Sequence, residues 1–398
     1  MPQVRVSAAR RHAEQTALAR IRRGSCAGLD VAGFLDEVNP IVGRLVSNGT
    51  ETIDSPFWFT LDPESHLVTS IYGQGCDVDP GDYMRWELLA DDFIKTADVV
   101  HNPRGVLTLH EATDGQPERS PIYVEVMVPN GMAQELLVAL RSSTGENWAT
   151  TRLNRAPGEP MFSEHEINLM SAAAPLLAEG VRRGLLVGEA TEPERPDAPG
   201  LVTMTVDGEV ESLSPGAVEW FSRLPDDDGR QDGVPTSVLA AAAGALRDAE
   251  RSGAGGVSTA RVPMTDGGWA VVHGAVMSTN GNSRVTVIIQ PAQPDRIALV
   301  LMSIYGLTGR EQEVTQVVLR GGSTTELAKA LGVSPYTVQQ HLKSIFEKTD
   351  VNSRGELVAK IYFDCYDLRT RDNRERIQAE QSIRGGPKTS AGGGAPAA

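Results

Sequence analysis

Over residues 335–349, PYTVQQHLKSIFEKT, a helical reading separates two kinds of side chain. Val338, Leu342, Ile345 and Phe346 stand at i, i+4, i+7 and i+8 and form one apolar stripe. Tyr336, Gln339, Gln340, Lys343 and Glu347 stand on the opposite face. Two adjacent carboxamides and an ammonium give that face both donors and acceptors on a rigid support. A glutamine amide can pair bidentately with adenine, so the chemistry open to this face is reading base edges in a major groove.

The elements that would hold this helix announce their own starts. Thr308 with Glu311, Ser323 with Glu326, and Ser353 with Glu356 have the spacing of capping boxes. Ser334-Pro335 places a side-chain cap before a proline at the first helical position. These four signals predict four short helices in a compact bundle. Ala328 is small enough for a close helix crossing, and Gly332 stands where a left-handed residue must end the second helix.

The segment LTGREQEVTQVVLRGGSTTELAKALGVSPYTVQQHLKSIFEKTDVNSRGELVAK closely resembles the LuxR/NarL-type helix-turn-helix domain. The resemblance covers about 307–363, within a domain predicted over 296–366 and with the motif at 323–342. It implies that helix 335–349 enters the major groove, with Gln339, Gln340 and Lys343 at base edges. It implies phosphate contacts from Ser323, Ser334, Tyr336 and Thr337, helped by Arg320 and Lys348. Val338 and His341 would be structural. The implied partners are double-stranded DNA, a second copy of the chain, RNA polymerase and an unidentified small-molecule ligand. No cofactor is required for DNA binding, and none is identified. Two departures weaken the match. Family members often carry Lys or Arg where Gln339 stands, and Gly309 and Gly355 each cost a helix start about 1 kcal/mol relative to alanine. A σ-factor region-4 domain looks similar, but it would need a basic, aromatic-rich segment upstream, which this chain lacks.

Charge is unevenly distributed. The chain carries a net charge of −15. Residues 306–366 sum to zero, 367–398 to +2, and everything before them to −17. An acidic body with a neutral reader suits specific binding better than bulk attraction to phosphates. An apolar fraction of 40 % is enough for real cores, and no apolar run is long enough to span a bilayer. Three scattered cysteines, Cys26, Cys76 and Cys365, form neither a disulfide framework nor a zinc motif, which suits a reducing, cytoplasmic location.

Upstream of the bundle the expected class is multidomain α+β. Residues 1–30 are read as a basic helix or arm with six arginines, either a solvated helix or a DNA-touching arm. Over 31–187 the order is helix, strand pair, helices, strand pair and a long exit helix opened by Ser163 and Glu166. This order, and the segment from Met132 above all, resembles a GAF domain. Ile167, Met170, Ala174, Leu177 and Val181 on the exit helix form either a dimer seam or a core face, and Pro175 should kink it. Residues 188–200 are a linker. Residues 201–295 read as two strands, helices and three strands, which resembles a PAS domain. The tail 367–398 is basic and then too rich in Gly, Pro and Ala to pack.

Other functions find little support. The strand pairs argue against a parallel phosphoacceptor receiver domain. Tyr83, Trp86, Asp91 and Asp92 match an autoinducer pocket poorly. There is no HExxH, GxSxG, GxGxxG or GxxxxGK[ST], so no enzyme is expected. His110-Glu111 and His165-Glu166 read as surface or capping residues, and Cys76 as a loop or buried thiol. The alternative function is a ligand- or partner-binding sensor whose helix-turn-helix makes only protein contacts.

Overall fold

The computed structural model describes the chain apart from residues 1–7, 47–55, 74–85, 88–89, 186–198, 226–232, 253–254, 266–267, 280–281, 293, 320–322 and 363–398. Tyr83, Cys76, Arg320, Cys365 and the tail 367–398 therefore lie outside the described residues. Two compact units are present. The first runs to Ala292 and includes Met302–Thr308; the second comprises Gln293–Leu301 and the residues from Gly309 on. Among the described residues, no helix is long and apolar enough to cross a membrane.

The first unit contains two five-stranded antiparallel sheets. Helices α1 (Ala8–Gly24) and α2 (Val31–Val46) precede the first sheet. Its strands are β1 (Phe57–Leu61), β2 (Val68–Tyr72), β3 (Val106–Thr108), β4 (Gln134–Arg141) and β5 (Asn147–Arg155), in the order β2-β1-β5-β4-β3. Helices α3 (Thr96–His101) and α4 (Leu109–Ala112) flank β3, and α5 (Glu164–Gly184) follows β5. The expected sequence of elements is present, with β3 as an edge strand too short to betray itself by alternation.

Helix α5 begins at a capping box in which Ser163 accepts from the Glu166 amide and Glu166 accepts from the Ser163 amide. The same Glu166 carboxylate, fully buried, pairs with Arg155 at 2.8 Å. Arg155 also donates to the carbonyl of Val46 at 2.6 Å, so one guanidinium ties the end of α2 to the start of α5. The two helices then run close together. A Cβ at Gly180 would meet the Phe34 ring at 2.0 Å, so only glycine permits this approach. The α5 stripe Ile167, Met170, Ala174, Leu177 and Val181 is buried within the chain, which makes it a core face and not a dimer seam. The helix continues through Pro175. The arginines of α1 from Arg10 on are exposed, while Ile21 anchors that helix in the core.

The second sheet repeats the pattern. Its strands are β6 (Gly200–Met204), β7 (Val210–Leu213), β8 (Val257–Pro263), β9 (Trp269–Thr279) and β10 (Asn282–Pro291), in the order β7-β6-β10-β9-β8. Counted from its own first strand, each sheet reads 2-1-5-4-3. Helices α6 (Pro215–Phe221) and α7 (Thr236–Ser252) lie between β7 and β8. The buried alanines 240–243 and 245 let α7 lie close against β8 and β9. The fold is thus α+β, with antiparallel sheets followed by helices.

The two sheets share one core. A single apolar cluster includes Phe59, Leu61, Leu67 and Val68 from the first and Val202, Ala241, Val272 and Val287 from the second region. The hairpin turn after β1 supplies the polar contact. Asp62, 1 % exposed, receives the backbone amide of Arg261 at 3.0 Å and its guanidinium at 2.9 Å, while Arg261 also reaches Glu64. Replacing Arg261 by alanine strands a buried carboxylate, so Arg261→Ala should lower the urea stability of the full chain by about 3–5 kcal/mol. Fluorescence of the buried tryptophans measures this, and a loss below about 1 kcal/mol would mark the pair as energetically ordinary.

Candidate nucleic-acid interface

The second unit carries helices α9 (Gly309–Leu319), α10 (Thr324–Leu331), α11 (Pro335–Thr349) and α12 (Arg354–Tyr362). They follow α8 (Pro294–Ile304). Each of the last three starts where the capping pattern put it. Ser323 accepts from the Glu326 amide, and Glu326 reaches back to the Ser323 amide at 2.8 Å. Ser334 accepts from the Thr337 amide at 3.1 Å, with Pro335 in the first turn. Ser353 accepts from the Glu356 amide at 3.1 Å, while Glu356 accepts from the Asn352 amide at 2.8 Å. Gly332 ends α10 at φ 64°, the left-handed turn that directs the chain into α11.

Packing fixes which face of α11 is free. Val338, Leu342 and Ile345 are buried against the bundle, and Ala328 is buried where α10 meets α11. Tyr336 is 70 % exposed, and Gln339, Gln340 and Lys343 are exposed beside it. Lys343 lies 4.0 Å from Glu347, a loose solvent-facing pair. Ser323 and Ser334 are exposed cap residues, and Thr337 is half-buried with its hydroxyl 2.9 Å from that of Ser334. The structure therefore brings Ser334, Tyr336, Thr337, Gln339, Gln340 and Lys343 together on the first turns and outer face of one helix. His341 is half-buried at its margin.

Lys348 is differently engaged. Its ammonium donates to Glu311 of α9 at 2.6 Å, and Ser344 donates to the other oxygen of the same carboxylate at 2.6 Å. The Glu311 side chain is only 6 % exposed. Glu311 therefore does more than a capping residue; it grips α11 from behind and sets its angle. Arg310, beside it, donates to the Leu331 carbonyl at the end of α10. Lys360 donates to the Thr349 carbonyl at 2.8 Å, and Arg354 to the Thr324 hydroxyl at 2.9 Å, so α12 braces both other helices. Spacing could not reveal the Glu311 contacts, since the partners lie 33 and 37 residues away on another helix.

A three-helix core with a capped, outward-facing second helix of the pair, braced by a fourth, is a helix-turn-helix domain. Residues 306–361 match the family model described as bacterial regulatory proteins, luxR family, and this segment is a domain of that family. Over 56 residues the chain is 41 % identical to the monoamine regulon transcriptional regulator of Klebsiella aerogenes, covering 14 % of this chain and 25 % of that protein. Over 100 residues it is 32 % identical to an HTH-type transcriptional regulator from the exeN 3′ region of Aeromonas salmonicida, covering 23 % and 51 %. The chain thus spans between a quarter and about half of these relatives. Similar solved structures include a VqmA–ligand–DNA complex from Vibrio cholerae, at 18 % identity, 43 % and 83 % coverage and a TM-score of 0.22. Another is Escherichia coli SdiA, at 13 % identity, 88 % and 96 % coverage and a TM-score of 0.30.

The two lysines of α11 should separate in experiment. Lys348→Ala removes a donor from a buried carboxylate and should cost about 1–2 kcal/mol of stability. Lys343→Ala, on the solvent face, should change stability by no more than about 0.5 kcal/mol; thermal melting of the two variants decides. A pH effect follows from the caps. The Ser323 amide holds the Glu326 carboxyl below the usual range, and the Asn352 amide does the same for Glu356. Both folded values lie below the unfolded ones, so the stabilisation is present above the ordinary carboxylate range and is lost as pH falls through the folded values. Melting between neutral and acid pH should show a shallower decline in the Glu326→Gln/Glu356→Gln variant than in the parent.

Proposed function

We propose that this protein is a sequence-specific DNA-binding transcriptional regulator of the LuxR type. Helix α11 lies in the major groove, with Gln339, Gln340 and Lys343 at base edges. Ser323, Ser334, Tyr336 and Thr337 contact phosphates, joined by Arg320. The carrying observation is the exposed polar face of a helix whose opposite stripe is buried and whose start is capped. Lys348, held by Glu311, serves the frame of the reader more than the phosphates. The luxR-family match over 306–361 supports the reading.

The protein acts in the cytoplasm as a homodimer on two half-sites and contacts RNA polymerase. Its signal enters through a GAF-like region at 31–187 and a PAS-like region at 201–295, joined by a linker at 188–200 and preceded by the basic helix of residues 1–30. The reader domain at 296–366 is followed by the tail 367–398. With few cations on the reading face, about three to four phosphates are neutralised per subunit, giving a salt slope near −3 per monomer.

In vitro selection from random duplexes by the full-length protein tests this. The expected outcome is an enriched motif with two half-sites, and at least about a tenfold loss of affinity in Gln340→Ala/Lys343→Ala, in line with one to three kcal/mol for a lost base contact. No enrichment, together with no effect of the double variant, overturns it. The charge neutrality of 306–366 favours a second reading, a sensor whose helix-turn-helix makes only protein contacts. Genomic immunoprecipitation separates the two: discrete peaks support the regulator, and their absence under every growth condition supports the sensor.

A further inference from the structure

Between the start of β4, helix α4 and the start of α5 lies a partly open cavity of about 250 Å³. Glu111, Glu135, Glu164, Gln134 and His110 line it, and Met161 and Phe162, whose ring carries the Arg155 guanidinium at 4.0 Å, add apolar surface. Gln134 is 5 % exposed. Its Nε2 donates to the carbonyls of Glu159 at 2.9 Å and Pro160 at 3.3 Å, which fixes the amide with its oxygen turned away from that loop. The oxygen, Oε1, has no hydrogen-bond partner. A buried acceptor left without a donor calls for a missing group.

Charge in the wall identifies that group. Glu135 is buried and accepts from Arg152 at 2.7 Å, yet the same guanidinium also binds Glu87. Burial pushes the Glu135 carboxyl up against the opposing pull of Arg152. Glu111 and Glu164 at the mouth lie 3.6 and 3.7 Å from the half-exposed Arg104, within ion-pair range but beyond hydrogen-bond distance. Three carboxylates and a free carbonyl oxygen present acceptors to the cavity, and the apolar side chains present a surface for a hydrocarbon body.

We infer that this cavity binds a small organic cation. An ammonium or amidinium donates to Gln134 and the carboxylates, and a compact apolar body packs on Phe162 and Met161. At roughly 30 Å³ per water-sized group, the space holds about eight non-hydrogen atoms. The inference concerns the first unit alone and does not rest on the DNA-binding reading.

Titration calorimetry on the full-length protein with benzylammonium, benzyl alcohol and benzoate at matched ionic strength tests it. Benzylammonium should bind saturably at one site, about tenfold or more tighter than benzyl alcohol, a gap of about 1.4 kcal/mol. Benzoate should give no saturable heat. Glu164→Gln, at an exposed position that leaves the fold intact, and Gln134→Leu should each weaken benzylammonium binding severalfold. No saturable heat from benzylammonium, equal affinity for the three probes, or unchanged binding in both variants overturns the assignment. Because no DNA enters the measurement, its failure is distinguishable from failure of the regulator reading.

Discussion

The pairing of Asp62 with Arg261 is the constraint that makes the two sheets one body. Burying a carboxylate is costly unless its lone pairs are filled. Asp62 meets that demand from both sides. The Glu64 amide and the Ser65 hydroxyl reach it from its own turn, and the backbone and guanidinium of Arg261 reach it from β8. A second electrostatic attraction crosses the same junction. Arg247 on α7 is half-buried, which pulls its guanidinium down, and the Glu87 carboxylate opposes that shift. Glu87 is also bound to Arg152, and Arg152 to Glu135. A continuous line of charges therefore links the second sheet region to the floor of the first.

In the helix-turn-helix domain the same physics works on a smaller scale. Glu311 is buried between two donors from α11, and its position is as fixed as that of any apolar core residue. The exposed face of α11 can therefore be poor in cations without being poorly placed. Its orientation comes from behind, through Glu311, Leu342 and Ile345, and its entry angle from Gly332 and Ser334.

Much of this was legible in the chain because caps and turns are local chemistry. Ser323 with Glu326, Ser334-Pro335 and Gly332 each act within four residues, and they gave helix starts and the turn directly. The strand pairs 57–72 and 134–155 were legible from their runs of strand-forming residues and the turn residues between them. The rest had no local trace. Asp62 and Arg261 are 199 residues apart, and neither stands out from an ordinary charged residue in its own neighbourhood. The stripe on α5 had the period of a dimer seam, and only the presence of α2 and the first sheet against it made it core. The phosphate role of Lys348 came from the family resemblance, and its Glu311 partner, on another helix, left no local trace. Pro175 lies inside α5, which continues on both sides of it.

The turn of residues 62–66 also defines how such a protein can be taken apart. Five donors converge on one carboxylate there, and His66 turns the chain at φ 57° to begin β2. An added residue would swing Asp62 out of reach of β8, so the length of this hairpin is as constrained as its composition. In building chimeras that exchange the upstream modules between relatives, the natural unit is therefore not the span between linkers. The β1–β2 turn has to travel with β8, although most of the sequence between them belongs to neither.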